Sequence, residues 1–513
     1  MSAHSKLYPA GLALLLLAVA VSSSYVVLTD RRPLIHDPLS NVMPSALLRQ
    51  AVASGETADW RRWLESTWYR PPLPTLINLP AVLLMEDHVA AVRLTEVAVF
   101  LLLLLLLYDL GACLASPRAG LLAALLCATL PLMQGWCRAG NADPLIWITL
   151  LLLFRVLLVL DLRSPWRAAA LGLAVGLCLA TRLLCLVFLV GPLLWVLLFH
   201  VRSWRAAVGL AAAGVWAVAV CGWWYVAQFD AVWDNYFMST ADAHLQERTF
   251  MRYLETGAGW VLPGTLAAGV VAWRTRALPP RVLALLGLWI VVPWLQLIFV
   301  WHIWERYPLA VVPQCALLSA VTLDRLTSTW RPSVRRLAWG AVAAAGLLPL
   351  VLHYSLGLYN LSSGLMWPDR RAFDGLTRAM APVKTAQKVV VVHQFMERNH
   401  AWGVIFQTTP RPPWTLVTRH DPTPPLAPGN LFIMSMAHEA RYLLRIAPRC
   451  RRPEGLLCEY DLPDYWWRQA RTRLPLKPLT LTRDPHGVEY ELFDMGRVMT
   501  GEQIMLAGVE QGE

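Results

Sequence analysis

The feature that most constrains this chain is a series of long apolar stretches, each close to the length that crosses a lipid bilayer. A transmembrane helix needs about 20 apolar residues to span the hydrocarbon core. The stretches lie before residue 356, and short loops that carry arginine separate many of them. We place them at residues 8–28, 90–110, 118–135, 143–160, 166–181, 183–200, 204–226, 257–273, 282–301, 307–323 and 335–355. This pattern predicts an α-helical polytopic membrane protein with about eleven transmembrane helices.

The composition excludes an ordinary soluble enzyme. Hydrophobic residues make up 57% of the 513 residues and charged residues only 15%, and the mean hydropathy is +0.46. A soluble protein of this length would contain a larger fraction of charged residues. The net charge of +11 comes from arginines scattered between the apolar stretches and through the tail. That distribution indicates membrane orientation and contact with membrane lipids rather than nucleic-acid binding.

The arginines also predict the topology, because short cytoplasmic loops are enriched in basic residues. If the N-terminus with Lys6 is cytoplasmic, every predicted inner loop is basic. The residues concerned are Arg118, Arg163, Arg167, Arg202, Arg205, Arg274, Arg276, Arg281, Arg325, Arg331, Arg335 and Arg336. Loops 29–89 and 227–256 and the whole chain after residue 356 then lie outside. We expect a bacterial inner-membrane protein whose C-terminal domain is periplasmic.

Three segments before residue 90 need separate interpretation. The first stretch resembles a cleavable signal peptide at Ala18–Ala20, but it continues to Leu28, which favours an uncleaved anchor. Residues 70–86 are apolar but only marginally long enough to span. Counting them as a span would invert every later loop, so we predict an interfacial or re-entrant helix buried against protein. Residues 39–54 predict a short helix on the membrane surface.

After residue 356 the sequence becomes ordinary polar sequence, which predicts a transmembrane domain over 1–356 and a soluble α/β domain over 357–513. Short apolar runs at 389–392, 414–417 and 431–434 predict strands. Helical or Pro-rich segments, including 437–446, are expected between them. Cys450 and Cys458 lie close together in the sequence. In an oxidising compartment they could pair, and two free thiols are the alternative.

Candidate catalytic groups are the carboxylates predicted at the outer ends of spans. Asp37 lies in the first outer loop, and Asp143 begins the fourth span. A carboxylate that faces a cavity there could act as a general base toward a hydroxyl or amine. Both aspartates precede a proline, however, which is also the arrangement of a helix start. Catalysis and capping both remain open on the sequence alone.

Candidate phosphate ligands are the arginines predicted at the outer surface. Arg70, Arg182 and Arg306 fall there, and a guanidinium can hold a phosphate with two parallel hydrogen bonds. Snorkelling to the interface is the plainer explanation. In the second outer loop, Arg248 could bind phosphate, and His244 could bind a divalent metal ion. A solvated helix face is the alternative for that loop.

Several short motifs follow one another in an order that resembles a known family. They are Asp37, Arg-Pro-Pro-Leu at 70–73, Arg93, Leu-Tyr-Asp-Leu-Gly at 107–111, residues 120–131, Arg138 to Asp143, residues 172–182, and Glu-Arg-Tyr-Pro at 305–308 followed by Pro313. Together they resemble the GT-C membrane glycosyltransferases, in the branch of the protein O-mannosyltransferases and the aminoarabinose transferases that modify lipid A. The resemblance covers roughly the first 325 residues. The chain departs from the family at the lone Asp37, at Arg70 for His or Lys, and at Arg182 for Lys.

The resemblance implies an inverting transferase that uses a polyprenyl-phosphate-linked sugar on the periplasmic side. The acceptor would be lipid A, another glycan or a protein. Asp37 would be the base and Asp143 would assist it or orient the acceptor. Arg70, Arg306, Arg248 and Arg182 would hold the donor phosphate. A transporter or flippase of lipid-linked glycans, without covalent chemistry, is the alternative, and a membrane-anchored sensor is a third hypothesis.

Overall fold

The computed structural model describes residues 3–29, 39–67, 70–85, 87–233, 257–297, 307–334, 389–393, 439–447, 471–483 and 489–500, with a few positions between 337 and 344. The chain divides into two compact units. The first comprises Met1–Thr29, Pro44–Gly55 and Trp63–Ser362, and the second comprises Asp30–Met43, Glu56–Arg62 and Ser363–Glu513.

The described helices are mostly apolar, which confirms the predicted membrane architecture. Their residues 39–43 and 57–62 belong to the second unit and the rest to the first. In chain order the helices are α1 (Ala3–Thr29), α2 (Leu39–Ser54), α3 (Thr57–Thr67), α4 (Leu73–Leu84), α5 (His88–Leu114), α6 (Pro117–Thr129), α7 (Pro131–Trp136), α8 (Asp143–Leu158), α9 (Pro165–Thr181), α10 (Cys185–His200), α11 (Trp204–Ala227), α12 (Phe229–Trp233), α13 (Gly257–Arg274), α14 (Pro280–Leu297) and α15 (Val312–Ser328). A 3-10 turn, Tyr307–Val311, leads into α15.

Four helical stretches in the described part are long and apolar enough to cross a membrane. They are Tyr8–Leu28, His88–Leu114, Trp204–Ala227 and Tyr307–Ser328. The other apolar helices are shorter, such as α9 and α10. The predicted span 118–135 is divided between α6 and α7, because Pro131 has no N–H to continue the helix. Most of the predicted span 335–355 lies outside the described residues.

The segment 70–86 contains a short helix, α4, with a length of 12 residues. At 1.5 Å per residue it extends about 18 Å, which is too short to cross the hydrocarbon core. One side of it is buried and carries Asn78, whose amide donates to the Ser45 hydroxyl of α2 at 3.2 Å. This agrees with the predicted short helix buried against protein, and α2 itself lies where a helix was expected.

Connectivity separates the two ends of the helix bundle. The hairpin of α8 and α9 brings Asp143 and Arg182 to the same end, which we call the site end. At the other end, Asp324 near the end of α15 accepts from the Arg118 Nε at 2.6 Å and from the Ser116 hydroxyl at 2.7 Å. The loops after α8 and α10 also lie at that opposite end. The arginines assigned to inner loops are therefore remote from Asp143 along the helices.

The second unit contains a four-stranded sheet in the order β1-β2-β4-β3. The strands are β1 (Val389–His393), β2 (Glu439–Ala447), β3 (Lys477–Arg483) and β4 (Glu489–Thr500). β1 pairs with β2 in parallel, and the other two pairs are antiparallel. The prediction of a strand at 389–392 is confirmed. The prediction that 437–446 is helical or Pro-rich is wrong over 439–446, where β2 lies.

The predicted strands at 414–417 and 431–434, and Cys450 with Cys458, lie outside the described residues.

Candidate functional site

The candidate site surrounds Asp143, the first residue of α8. Its side chain is 2% exposed. The helix begins with Ala142 at the capping position, in a left-handed conformation with φ 62°. No side-chain capping hydrogen bond is made there, so Asp143 does not act as the N-cap that its Asp-Pro sequence suggested. The carboxylate accepts instead from the amide of Asn141, at 2.8 Å.

Arg182 and Arg70 are close enough to Asp143 to attract its carboxylate electrostatically. Both side chains are buried, at 8% and 9% exposure. The structure thus brings together three of the residues proposed from the sequence, although Arg70 and Arg182 are more than a hundred positions apart. Counted at their usual charges, two guanidinium groups and one carboxylate leave a net positive charge. A site of this kind attracts an anion.

Arg182 is positioned by the end of α9. That helix packs against α8 and α11, and the Tyr225 hydroxyl of α11 donates to the Leu179 carbonyl at 2.9 Å. The Arg182 N–H caps α9 by donating to the Cys178 carbonyl at 3.3 Å. Its guanidinium lies 5.7 Å from the ring centre of Tyr307, within the range of a cation–π contact. Arg182 therefore joins α9 to the turn that precedes α15.

Arg70 is positioned by the turn between α3 and α4. The end of α3 is tied to α11, because the Trp224 indole donates to the Thr67 hydroxyl at 2.9 Å. The Arg70 N–H then donates to the Thr67 carbonyl at 2.7 Å. After Arg70, α4 packs against α5 and α9. These contacts hold the backbone of Arg70 at the site end of the bundle.

The two polar groups of the Asn141 side chain differ, because the amide nitrogen makes a hydrogen bond and the carbonyl oxygen accepts none. It is 1% exposed, and its amide nitrogen donates to Asp143. Its carbonyl oxygen is buried and accepts no hydrogen bond from the residues that the structure describes. Such an oxygen favours a hydroxyl or amine donor beside it, since an unsatisfied buried acceptor is costly. Sequence reasoning did not select this residue.

Sequence reasoning also missed Glu96, which contacts the loop before Asp143. Glu96 lies in α5 and is 4% exposed. Its carboxylate accepts from the N–H of Gly140 at 2.9 Å and from the N–H of Ala142. The signal that could have found it is a carboxylate inside a predicted membrane span, since ionisable residues there are costly.

The remaining candidates lie outside the part of the chain that the structure describes. These are Asp37, His244, Arg248 and Arg306. Tyr307, which directly follows Arg306, is described and contacts Arg182. Among the described residues, no group of three or more His, Cys, Asp and Glu is arranged to hold a metal ion. His244, the proposed metal ligand, lies outside those described residues.

Comparison with known proteins gives one family match and several structural matches. The family model described as dolichyl-phosphate-mannose-protein mannosyltransferase matches residues 69–225. That range contains every described site residue except Tyr307. No curated protein matches the sequence.

Two crystal structures of ArnT from Cupriavidus metallidurans match almost the whole chain. The structure bound to undecaprenyl phosphate has a TM-score of 0.56 and the apo structure 0.57, both at 16% sequence identity. Each match covers 94% of this chain and 98% of that one. An oligosaccharyltransferase from Archaeoglobus fulgidus matches with a TM-score of 0.46 at 12% identity, over 76% of this chain and 64% of that one. The chain has the fold of a GT-C membrane glycosyltransferase, as its sequence motifs indicated.

Proposed function

We propose that this protein transfers a glycosyl group from a polyprenyl-phosphate-linked donor to an acceptor at the non-cytoplasmic surface of the membrane, with inversion at the anomeric carbon. The observation that carries the proposal is that Arg182, Arg70 and Asp143 are all buried and that both guanidinium groups attract the Asp143 carboxylate. The fold and the family match support a glycosyl transfer over other reactions on phosphate-linked lipids.

The charges fit the leaving group of this reaction. When the bond between the anomeric carbon and the phosphate oxygen breaks, negative charge develops on a phosphate monoester. Fixed guanidinium groups stabilise that charge in the transition state, and they do so more strongly in a buried site than in water. We assign this role to Arg70 and Arg182, and we expect Arg306 and Arg248 to contribute to it.

The lipid-linked donor is chosen for two reasons. The site lies at the end of apolar helices, where a polyprenyl tail could remain in the membrane while its phosphate reaches the arginines. ArnT, whose fold this chain shares, was crystallised with undecaprenyl phosphate. We transfer that ligand class to this chain as part of the proposal, since the sequence identity is only 16%.

The proposed reaction is a single displacement. An acceptor hydroxyl or amine attacks the anomeric carbon, its proton passes to a carboxylate base, and polyprenyl phosphate leaves with the electrons of the broken C–O bond. We assign the base to Asp37 and the orientation of the acceptor to Asp143. The unsatisfied Asn141 carbonyl oxygen, beside Asp143, would accept a hydrogen bond from a hydroxyl of the sugar or the acceptor.

The alternative function, a transporter or flippase of lipid-linked glycans, would place charges along a path through the spans. Arg155, within the predicted span 143–160, is a charge of this kind. It pairs with Asp109 at 3.5 Å, and both side chains are substantially exposed, at 42% and 54%. The pair lies toward the end of the bundle opposite Asp143, so it does not extend the site. We therefore keep the transferase as the proposed function.

The first experiment compares the products of cells with and without the protein. Mass spectrometry of surface lipids, glycans and proteins should reveal one glycosylated species that disappears when the protein is absent. Membrane vesicles that contain the protein should then form that product from a polyprenyl-phosphate sugar. Lipid-linked glycan that crosses the membrane without any new covalent product would instead support the transporter.

Arginine variants test the site itself. Losing one charge-assisted contact to phosphate costs about 1.5–3 kcal/mol, so Arg182→Ala and Arg70→Ala should each reduce transfer roughly ten- to hundredfold. Lysine at either position should restore activity in part, because it keeps the charge but loses the planar fork. Arg167→Ala is the matched control, since Arg167 is exposed and lies at the start of α9, opposite Arg182. Full activity in both alanine variants at normal abundance would exclude these arginines from the mechanism.

A further inference from the structure

Glu96 makes contacts that the proposed reaction has not yet used. It is a buried carboxylate near the start of α5, with apolar sequence on the C-terminal side. Its two oxygens accept from two different backbone N–H groups, those of Gly140 and Ala142. The Glu96 side chain thus holds the backbone immediately before and immediately after Asn141.

The backbone that Glu96 holds has an unusual conformation. Gly140 has φ 84° and Ala142 has φ 62°, so both lie in the left-handed region. Alanine adopts that region rarely, and such residues persist where the surrounding structure enforces them. Arg93, one turn earlier on α5, donates from Nε to the Arg138 carbonyl at 2.6 Å. Helix α5 therefore contacts this loop at three backbone groups within five residues.

The loop held in this way leads directly to the candidate site. Asn141 donates to the Asp143 carboxylate, and Asp143 is the group that Arg182 and Arg70 attract. A shift of Ala142 would move both side chains relative to the arginines. In an active site, displacements of about 1 Å can reduce the rate a hundredfold.

We infer that Glu96 is a positioning residue, which sets the place of Asn141 and Asp143 by holding the Gly140 and Ala142 N–H groups. The inference rests on the proposed function for its catalytic consequence, but the hydrogen-bonded loop can be tested without any assay of transfer. A carboxylate suits this task because both of its oxygens accept, whereas an amide offers one acceptor and one donor.

The test compares Glu96→Gln and Glu96→Asp with Asp324→Asn. Asp324 is the matched control, since it is also a buried carboxylate with several hydrogen bonds, at the opposite end of the bundle. In purified protein, hydrogen–deuterium exchange is measured for peptides that cover 138–145. Glu96→Gln should speed exchange there by about tenfold or more. The NH2 group of the new glutamine side chain would face one of the two backbone N–H groups and could not accept its hydrogen bond. Asp324→Asn should leave that peptide unchanged.

The kinetic part measures release of polyprenyl phosphate from a polyprenyl-phosphate sugar. Glu96→Gln should lower kcat roughly ten- to hundredfold and change KM for the donor little, since the arginines stay in place. Glu96→Asp keeps two acceptors on a shorter stem, so it should recover part of kcat. Asp324→Asn should reduce thermal stability while kcat per folded molecule stays the same.

The outcomes separate this inference from the proposed function. If wild-type protein releases no polyprenyl phosphate, the proposed function fails, while faster exchange in Glu96→Gln would still support the role of Glu96 in holding the loop. Unchanged exchange at 138–145 would overturn that role. Faster exchange with unaltered kcat in an active enzyme would overturn the positioning function. If Glu96→Gln does not fold, the same measurements on Glu96→Asp decide.

Discussion

At the scale of single residues, Asp143 combines a helix start with a charged site. It is the first residue of α8, yet its carboxylate bonds to Asn141 and faces two arginines. An aspartate that only initiated a helix could be replaced by asparagine at little cost. Here the replacement removes the negative charge that Arg182 and Arg70 attract, which changes how strongly the site attracts an anionic donor.

We expect Asp143→Asn to lower kcat and not to weaken donor binding. The loss should be on the order of tenfold or more if the carboxylate orients the acceptor. KM for the polyprenyl-phosphate donor should stay the same or fall, because the arginines lose a competing negative charge. Steady-state kinetics on membranes with matched protein abundance measures both constants. A rise in KM without a change in kcat would contradict the assignment.

Asp37→Asn provides the comparison at the proposed base. It should remove the proton acceptor and reduce transfer by on the order of 10²–10⁴, a larger loss than at Asp143. An abundant and fully active Asp37→Asn protein would end the assignment of the base.

The sequence identified three of the described site residues, but it did not show how they are held. Asp143 was selected because it lies at the predicted outer end of a span, and Arg182 and Arg70 because they lie at the predicted outer surface. Glu96 and Asn141 were not selected. The importance of Glu96 depends on its hydrogen bond from the backbone of Gly140, and that of Asn141 on its hydrogen bond to Asp143. Backbone contacts between distant segments leave no periodic pattern in a sequence. A carboxylate within an apolar span is the one clue that pointed to Glu96.

At the scale of helices and strands, hydropathy located most helices and failed at one strand. The spans were found because lipid requires long apolar segments with all backbone groups bonded internally. Strand β2 was missed although every second residue from Ala440 to Ile446 is apolar and Glu439, Arg441 and Arg445 alternate with them. Its alanine, leucine and arginine residues are good helix formers, which favoured the helical interpretation. Pairing with β1 and β4 determines that strand, and context of this kind overrides local preference.

Helix α9, which ends just before Arg182, packs closely against α11. Gly172 of α9 permits this close approach because it has no side chain. A Cβ at Gly172 would meet the Ala213 carbonyl and the Trp216 side chain of α11. We expect Gly172→Ala to separate the helices and to destabilise the protein by about 1–3 kcal/mol. Gly214→Ala is the matched control on α11, since nothing lies within 4 Å of a Cβ there. Thermal unfolding in detergent should show a lower Tm for Gly172→Ala alone, and equal Tm values would contradict the packing argument.

At the scale of the whole molecule, the ends of the helix bundle differ in charge and in contents. Asp143, Arg182, Arg70 and Glu96 lie at the site end, whereas the predicted inner loops after α8 and α10 lie at the other end with their arginines. Because basic loops are retained in the cytoplasm, this separation supports a site that faces the non-cytoplasmic side. The prediction that the chain after residue 356 lies outside the cytoplasm requires one further crossing after α15.

That arrangement predicts the outcome of reporter fusions. A reporter after residue 326, near the end of α15 and close to Arg325, should be active only in the cytoplasm. A reporter after residue 513 should be active only outside it, because the apolar stretch 335–355 would add one crossing. Alkaline phosphatase and a fluorescent protein, fused in turn at both positions, distinguish the two sides, and membrane abundance of each fusion is the control. Cytoplasmic activity at residue 513 would remove that crossing and place the C-terminal residues in the cytoplasm. Cytoplasmic exclusion at residue 326 would invert the whole bundle, and Asp143 with its arginines would then face the cytoplasm, where a periplasmic acceptor could not reach them.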